Sequence, residues 1–165
     1  MTDPIEVSFT VNGEPRGVRV EARRTLVDAL RDELGLTGTH IGCEHGVCGA
    51  CTILLDDKPV RSCLMFAVQA EGAQLRTVEG LAQNGELHPL QQAFWENHGL
   101  QCGFCTPGFL MLAVGVLEAN PDIGEAELRD ALSSNLCRCT GYQNIIKSVL
   151  AAAASARTWA KSGAR

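Results

Sequence analysis

The 165-residue chain holds eight cysteines in two sets of four: Cys43, Cys48, Cys51 and Cys63, then Cys102, Cys105, Cys137 and Cys139. Four thiolates are the ligand count of one [2Fe–2S] cluster, and C-x4-C-x2-C with a fourth cysteine downstream is a plant-type spacing for it. The second set pairs a C-x2-C with a C-x-C and has the same count. Two [2Fe–2S] clusters and one-electron chemistry are therefore expected.

Other uses of these sulfurs fit less well. Four disulfides would suit an oxidising compartment, but the start, MTDPIEVSFTV, lacks a basic segment followed by an apolar one, so no secretory signal and a cytoplasmic location are expected. Four-cysteine zinc sites usually pair two C-x-x-C knuckles, which is not the arrangement of the first set; the second set leaves zinc more open. Cys43-Glu44-His45 opens a Rieske-like C-x-H, yet a Rieske centre needs a second histidine where Cys48 and Cys51 stand. His45 reads as an exposed loop residue. His40, His88 and His98 share no ligand spacing and read as surface or capping residues.

With 14 Lys and Arg scattered among 19 Asp and Glu, the net charge of −5 argues against nucleic acid. The longest apolar run, Phe109 to Leu117, is well short of the ~20 residues that cross a bilayer, so no membrane span is expected. Neither a deaminase signature nor a phosphate-cradling glycine loop is present.

These sulfurs need elements to hold them. Ile5–Val11 and Gly17–Ala22 alternate apolar and polar about an Asn12-Gly13 turn, a β-hairpin. Thr25 caps a helix, with Asp28 as its capping-box-like partner and Leu26, Leu30 and Leu34 on one face, until Gly35 stops it. Strands are expected at Thr52–Leu55, Val60–Phe66 and Gln74–Val78, with a turn at Asp56-Asp57-Lys58-Pro59. Gly42, Gly46 and Gly49 let the first cysteine loop curl and free N–H groups toward sulfur.

The period then changes to helical: His88–His98, Pro107–Asn120, Glu125–Ser133 and Tyr142–Lys161. Trp95 and the set Phe109, Leu112 and Val116 are expected in the core. Cys105-Thr106-Pro107-Gly108 and Cys139-Thr140-Gly141-Tyr142 echo each other, each cysteine pair just before a helix start with Thr as the cap. The pairs would meet across a local two-fold, where two helix N-termini favour an anionic cluster. The expected fold is α+β: an N-terminal β-grasp, plant-type ferredoxin-like domain over 1–80 and a C-terminal four-helix bundle over 86–165, divided at Gln83-Asn84-Gly85-Glu86.

The strings GCEHGVCGACTILLD, LQCGFCTPGFLM and NLCRCTGYQNII closely resemble the iron–sulfur subunit of the molybdenum hydroxylases, the family of xanthine dehydrogenase, aldehyde oxidoreductase and aerobic carbon monoxide dehydrogenase. The resemblance spans Ile5 to about Ala154 with every cysteine in register. It implies that the helical cluster lies beside the molybdopterin cofactor of a large partner subunit, with Gln101 and the Cys139 region approaching the pterin. It also implies that the ferredoxin-like cluster faces FAD or another acceptor, carried by a medium subunit in a heterotrimer or its dimer. Electrons would run from the molybdenum site through the second set, then the first, to the acceptor; this chain does no bond-making chemistry alone. A free-standing two-cluster carrier and a structural zinc module are the alternatives.

Overall fold

The computed structural model describes residues 3–161. β1 (Ile5–Val11) and β2 (Glu14–Val20) pair antiparallel from Ile5↔Val20 to Val11↔Glu14. Asn12 and Gly13 take φ of 52° and 84°, a two-residue turn whose twist matches that of the strands. So tight a turn leaves no slack, and β2 starts three residues earlier than Gly17.

The Thr25 hydroxyl accepts the Asp28 N–H at 3.2 Å, as expected of a cap. α1 is regular only over Leu26–Asp28; Ala29–Glu33 widens into a π turn, and Gly35 at φ 69° ends it. The wider turn keeps Leu26 and Leu30 buried but rotates Leu34 partly outward.

β3 (Thr52–Leu55), β4 (Lys58–Arg61) and β5 (Gln74–Arg76) complete a five-stranded sheet in the order β2-β1-β5-β3-β4, parallel where β1 meets β5 and antiparallel elsewhere. The β3–β4 turn is tighter than expected, with Asp56 and Asp57 at φ 47° and 63° and Leu55 opposite Lys58. The strand expected at Val60–Phe66 stops at Arg61, because the chain coils into a 3₁₀ turn at Ser62–Leu64 that carries Cys63. The last strand stops at Arg76 and gives way to a 3₁₀ turn at Val78–Gly80.

Four helices follow: α2 (Pro89–Glu96), α3 (Thr106–Ala119), α4 (Glu125–Leu132) and α5 (Gln143–Lys161), each within two residues of its expected ends. The fold is α+β. One core joins Val7, Phe9, Val18 and Leu75 of the sheet to Leu26 and Leu30 of α1; the other joins Phe94, Phe109, Leu128 and Ile145 of the helices. β3 serves both, since Ile53 belongs to the first core and Leu54, on the opposite face, to the second. That double burial accounts for the unbroken apolar run Ile53-Leu54-Leu55.

Trp95 is not a core residue: it is 72% exposed. The buried face of α2 is Leu90, Ala93 and Phe94, and the residue after Phe94 is carried about 100° round the helix, out of the core. Phe109 and Leu112 are buried as expected, and Val116 is partly so.

Candidate metal centres

The first cysteine loop runs between α1 and β3. Gly46 and Gly49 take φ of 84° and 74°, and Glu44 joins them at 56°, so the backbone reverses repeatedly within six residues. Gly42 serves differently, because a Cβ there would stand 3.0 Å from the Cys48 sulfur. The curl brings the Cys48 N–H to the Cys43 sulfur at 3.3 Å. That N–H, then the one of His45, draws the Cys43 thiol down to about 6. Cys51 and Cys63 form the other pair and are buried. Burial, with the Cys51 thiol next to it, pushes Cys63 up to about 11.

The second set gathers from two turns. Cys139 donates to the Cys102 sulfur at 3.5 Å, and both are exposed. Cys102 lies below its ordinary value, held there first by the Phe104 N–H and then by Cys139, while Cys139 lies above through the same sulfur contact. Cys105 and Cys137 sit deeper. Burial and then Cys137 push Cys105 up to about 12. Burial raises Cys137 most, but the Thr140 hydroxyl at 3.1 Å, the Thr140 N–H at 3.4 Å, the Cys139 N–H and the Cys105 thiol together outweigh it, and the direction is down.

The echo between the two turns is kept in position but not in the caps. The Thr140 hydroxyl accepts the Tyr142 N–H at 3.1 Å, outside α5, and the first helical bond runs from the Ile146 N–H to the Tyr142 carbonyl, so Thr140 precedes the cap by two residues. Thr106 is the first residue of α3, preceded by Cys105 as the cap, and its buried hydroxyl makes no hydrogen bond among the described residues. Both helices still start close to the cysteines in the chain, α3 at the residue after Cys105 and α5 four residues after Cys139.

The eight sulfurs thus come as pairs: Cys43/Cys48, Cys51/Cys63, Cys102/Cys139 and Cys105/Cys137. Among the described residues no three His, Cys, Asp or Glu side chains gather round one single-ion position. Two pairs per set, with N–H and O–H donors on the sulfurs, fit an anionic centre of two irons with two thiolates each.

Gln101 is exposed, at the turn before Cys102. His45 is exposed and bonds back to the Cys43 carbonyl. His88 caps α2, its Nδ1 accepting the Leu90 N–H at 3.2 Å. His40 is more than a surface residue: it stacks on Phe104 at 5.1 Å and its Nδ1 meets the Phe104 carbonyl at 2.7 Å, tying the two cysteine loops together.

Sequence reasoning missed the seam between the loops. The Leu136 N–H donates to the Cys48 carbonyl at 2.9 Å, Asn135 Nδ2 to the Gly49 carbonyl at 3.3 Å, and Arg61 to the Ser134 carbonyl at 2.7 Å. α3 closes on the same place: a Cβ on Gly108 would stand 3.1 Å from the Ala50 Cα, and one on Gly115 would stand 2.6 Å from Pro59. Two glycines seven residues apart in an apolar helix were the one available signal.

A family profile described as "2Fe-2S iron-sulfur cluster binding domain" matches residues 9–82, and another described as "[2Fe-2S] binding domain" matches residues 77–150. The chain is therefore an iron–sulfur protein with two [2Fe–2S] domains. It is 61% identical over 146 residues to caffeine dehydrogenase subunit gamma of Pseudomonas sp. (strain CBB1), covering 87% of each chain. It is 58% identical to the nicotine 6-hydroxylase small subunit of Paenarthrobacter nicotinovorans, covering 90% of each. Among solved structures it superposes on quinoline 2-oxidoreductase from Pseudomonas putida 86 with a TM-score of 0.91 and 53% identity, covering 95% of this chain and 98% of that one. The chain belongs to the iron–sulfur small-subunit family of the molybdenum hydroxylases.

Proposed function

We propose that this chain is the electron-transfer subunit of a molybdenum-dependent hydroxylase or dehydrogenase. Cys43, Cys48, Cys51 and Cys63 would hold one [2Fe–2S] cluster, and Cys102, Cys105, Cys137 and Cys139 the other. When bound, such clusters take up and pass on single electrons without bond-making. The protein's own share is to bind the irons through preset thiolates, place N–H donors on the sulfurs and hold the two sets in fixed relation. The observation that carries this reading is the convergence of all eight cysteines into four pairs, in a chain so similar to named small subunits.

The 1–80 unit is read as a β-grasp domain, supported by its strand order and α1 on one face; 86–165 is read as a four-helix bundle, supported by its separate helical core. A large molybdopterin subunit is placed against the exposed sulfurs Cys102 and Cys139, with Gln101 and Cys139 nearest the pterin. A medium FAD subunit is placed on the first set, and the assembly is read as a heterotrimer or its dimer in the cytoplasm. Among the described residues no helix is long and apolar enough to cross a membrane. Caffeine, nicotine and quinoline are all N-heterocycles, so the holoenzyme is assigned that substrate class.

Anaerobic purification with metal analysis tests the centre of this reading: about four irons and four acid-labile sulfides per chain are expected. A zinc-filled protein without visible absorbance would overturn it. Copurifying molybdenum and turnover of N-heterocycles test the assembly; a chain that purifies alone and exchanges electrons rapidly with a small reductase would favour a free carrier.

A further inference from the structure

Asn135 carries no ligand and precedes Cys137 by two residues, yet it is among the most deeply buried polar side chains, at 1% exposure. Its Nδ2 donates to the Gly49 carbonyl at 3.3 Å, while its Oδ1 has no hydrogen-bond partner among the described residues. A buried amide with an unpaired oxygen costs stability relative to an apolar group of the same shape, so packing alone does not explain it. Gly49 makes the room: at φ 74°, with no side chain, it leaves the space that the carboxamide fills, and a Cβ there would collide with it.

We propose that Asn135 is a positioning residue that sets the separation and orientation of the two cysteine sets. It stands in the middle of three consecutive residues fastened to the sheet unit. Arg61 holds the Ser134 carbonyl, Asn135 holds Gly49, and the Leu136 N–H holds the Cys48 carbonyl. One end of this clip is the backbone of Cys48, in the first set; the other runs directly into Cys137, in the second. Loosening it lets Cys137 move relative to Cys48 without removing any ligand. The exposed Asn84-Gly85 turn offers no such constraint, with nothing within 4 Å of a Cβ on Gly85.

The inference rests on the two-cluster reading for its spectroscopic readout, so iron content separates the two. Asn135→Ala is made in the full chain, with its partners where they copurify, and three quantities are compared with the parent. Iron and sulfide per chain are expected to be unchanged. Hydrogen exchange of the peptide carrying Leu136 is expected to rise about tenfold, the loss of one to two weak hydrogen bonds. In the fully reduced protein, the magnetic splitting between the two cluster spins is expected to shrink, since dipolar coupling falls with the cube of separation. Full iron with unmoved splitting and exchange overturns the role of Asn135; a parent protein without iron overturns the two-cluster reading instead. Should Asn135→Ala fail to load iron, Arg61→Met removes the Ser134 clip, together with a bond to the Thr52 hydroxyl that lies within the sheet unit. It must then change exchange and splitting in the same direction by a smaller factor, and no change would overturn the proposal.

Discussion

Gly108→Ala is expected to destabilise this protein, although alanine is the better helix former by about 1 kcal/mol in a helix interior. Gly108 is the third residue of α3, where that gain is only partly realised. A Cβ there would fall well inside contact distance of the Gly49 carbonyl oxygen and 3.1 Å from both the Cα and the carbonyl oxygen of Ala50. All three are backbone atoms. The Gly49 carbonyl is further held by the Thr52 N–H at 3.1 Å and by Asn135, so it cannot swing aside as a side-chain tip would. α3 must therefore lift, and at its other end Gly115 already lies against Pro59 and Leu54. Overpacking of this kind costs about 1–3 kcal/mol, which exceeds the propensity gain. Gly17→Ala is the control: its nearest atom would be the Val7 carbonyl oxygen at 4.0 Å, and its backbone is not left-handed. Neutral to about 1 kcal/mol stabilising is expected there. Urea unfolding of the iron-loaded protein, followed by helical circular dichroism and visible absorbance together, measures both variants. A Gly108→Ala protein as stable as its parent would refute the close approach of α3 to the first cysteine loop.

The cysteine sets should separate by mutation. Cys102→Ser or Cys139→Ser should block reduction by substrate, whereas Cys48→Ser should leave the second set reducible and stop transfer to the acceptor, iron falling in each case from about four to about two per chain. Substrate electrons reaching the first set with the second destroyed would reverse the order. His88 supplies a pH dependence: burial holds its folded-state value below the ordinary 6.5, and its Nδ1 must stay unprotonated to accept the Leu90 N–H. Below 6.5 the unfolded chain takes up a proton that the folded chain refuses, so stability is full above that pH and is lost as pH falls toward the folded-state value. Denaturation of parent and His88→Ser between about pH 5.5 and about pH 7.5 should show a steeper acid loss in the parent; equal slopes would sink this account.

What could be read from the sequence was local. Cysteine spacing lies within a loop, the Asn12-Gly13 turn within two residues, and the helices within their own period, so each was legible without knowledge of neighbours. The errors have tertiary causes. Val60–Phe66 carries strand-forming residues, but Cys63 reaches Cys51 only if the chain coils after Arg61, and no periodicity records that demand. Trp95 is apolar on a helix, and its neighbour Phe94 satisfies the core in its place. Thr106 looks like the twin of Thr140, yet α3 starts at Thr106 itself. Asn135 had no local signal at all, since its meaning lies in Gly49, far away in the sequence.

The seam also decides what holds the two units together. If the connection at 83–86 did so, lengthening it would loosen the cysteine sets. The turn there is exposed and closes on itself, the Gln83 N–H to the Glu86 carbonyl at 3.0 Å and the Glu86 N–H to the Gln83 carbonyl at 2.9 Å. The seam instead contains backbone-to-backbone contact at Gly108, a shared strand in β3, the Arg76–Glu118 pair at 2.8 Å and the 134–136 clip. Inserting Gly-Ser between Asn84 and Gly85 therefore adds only loop entropy, about 0.6 kcal/mol or less for a loop that does not double in length. The inserted protein should keep its splitting between cluster spins and nearly all its stability, while Gly108→Ala keeps neither. The reverse ranking would mean that the connection, and not the glycine-lined seam, fixes the distance an electron has to cross.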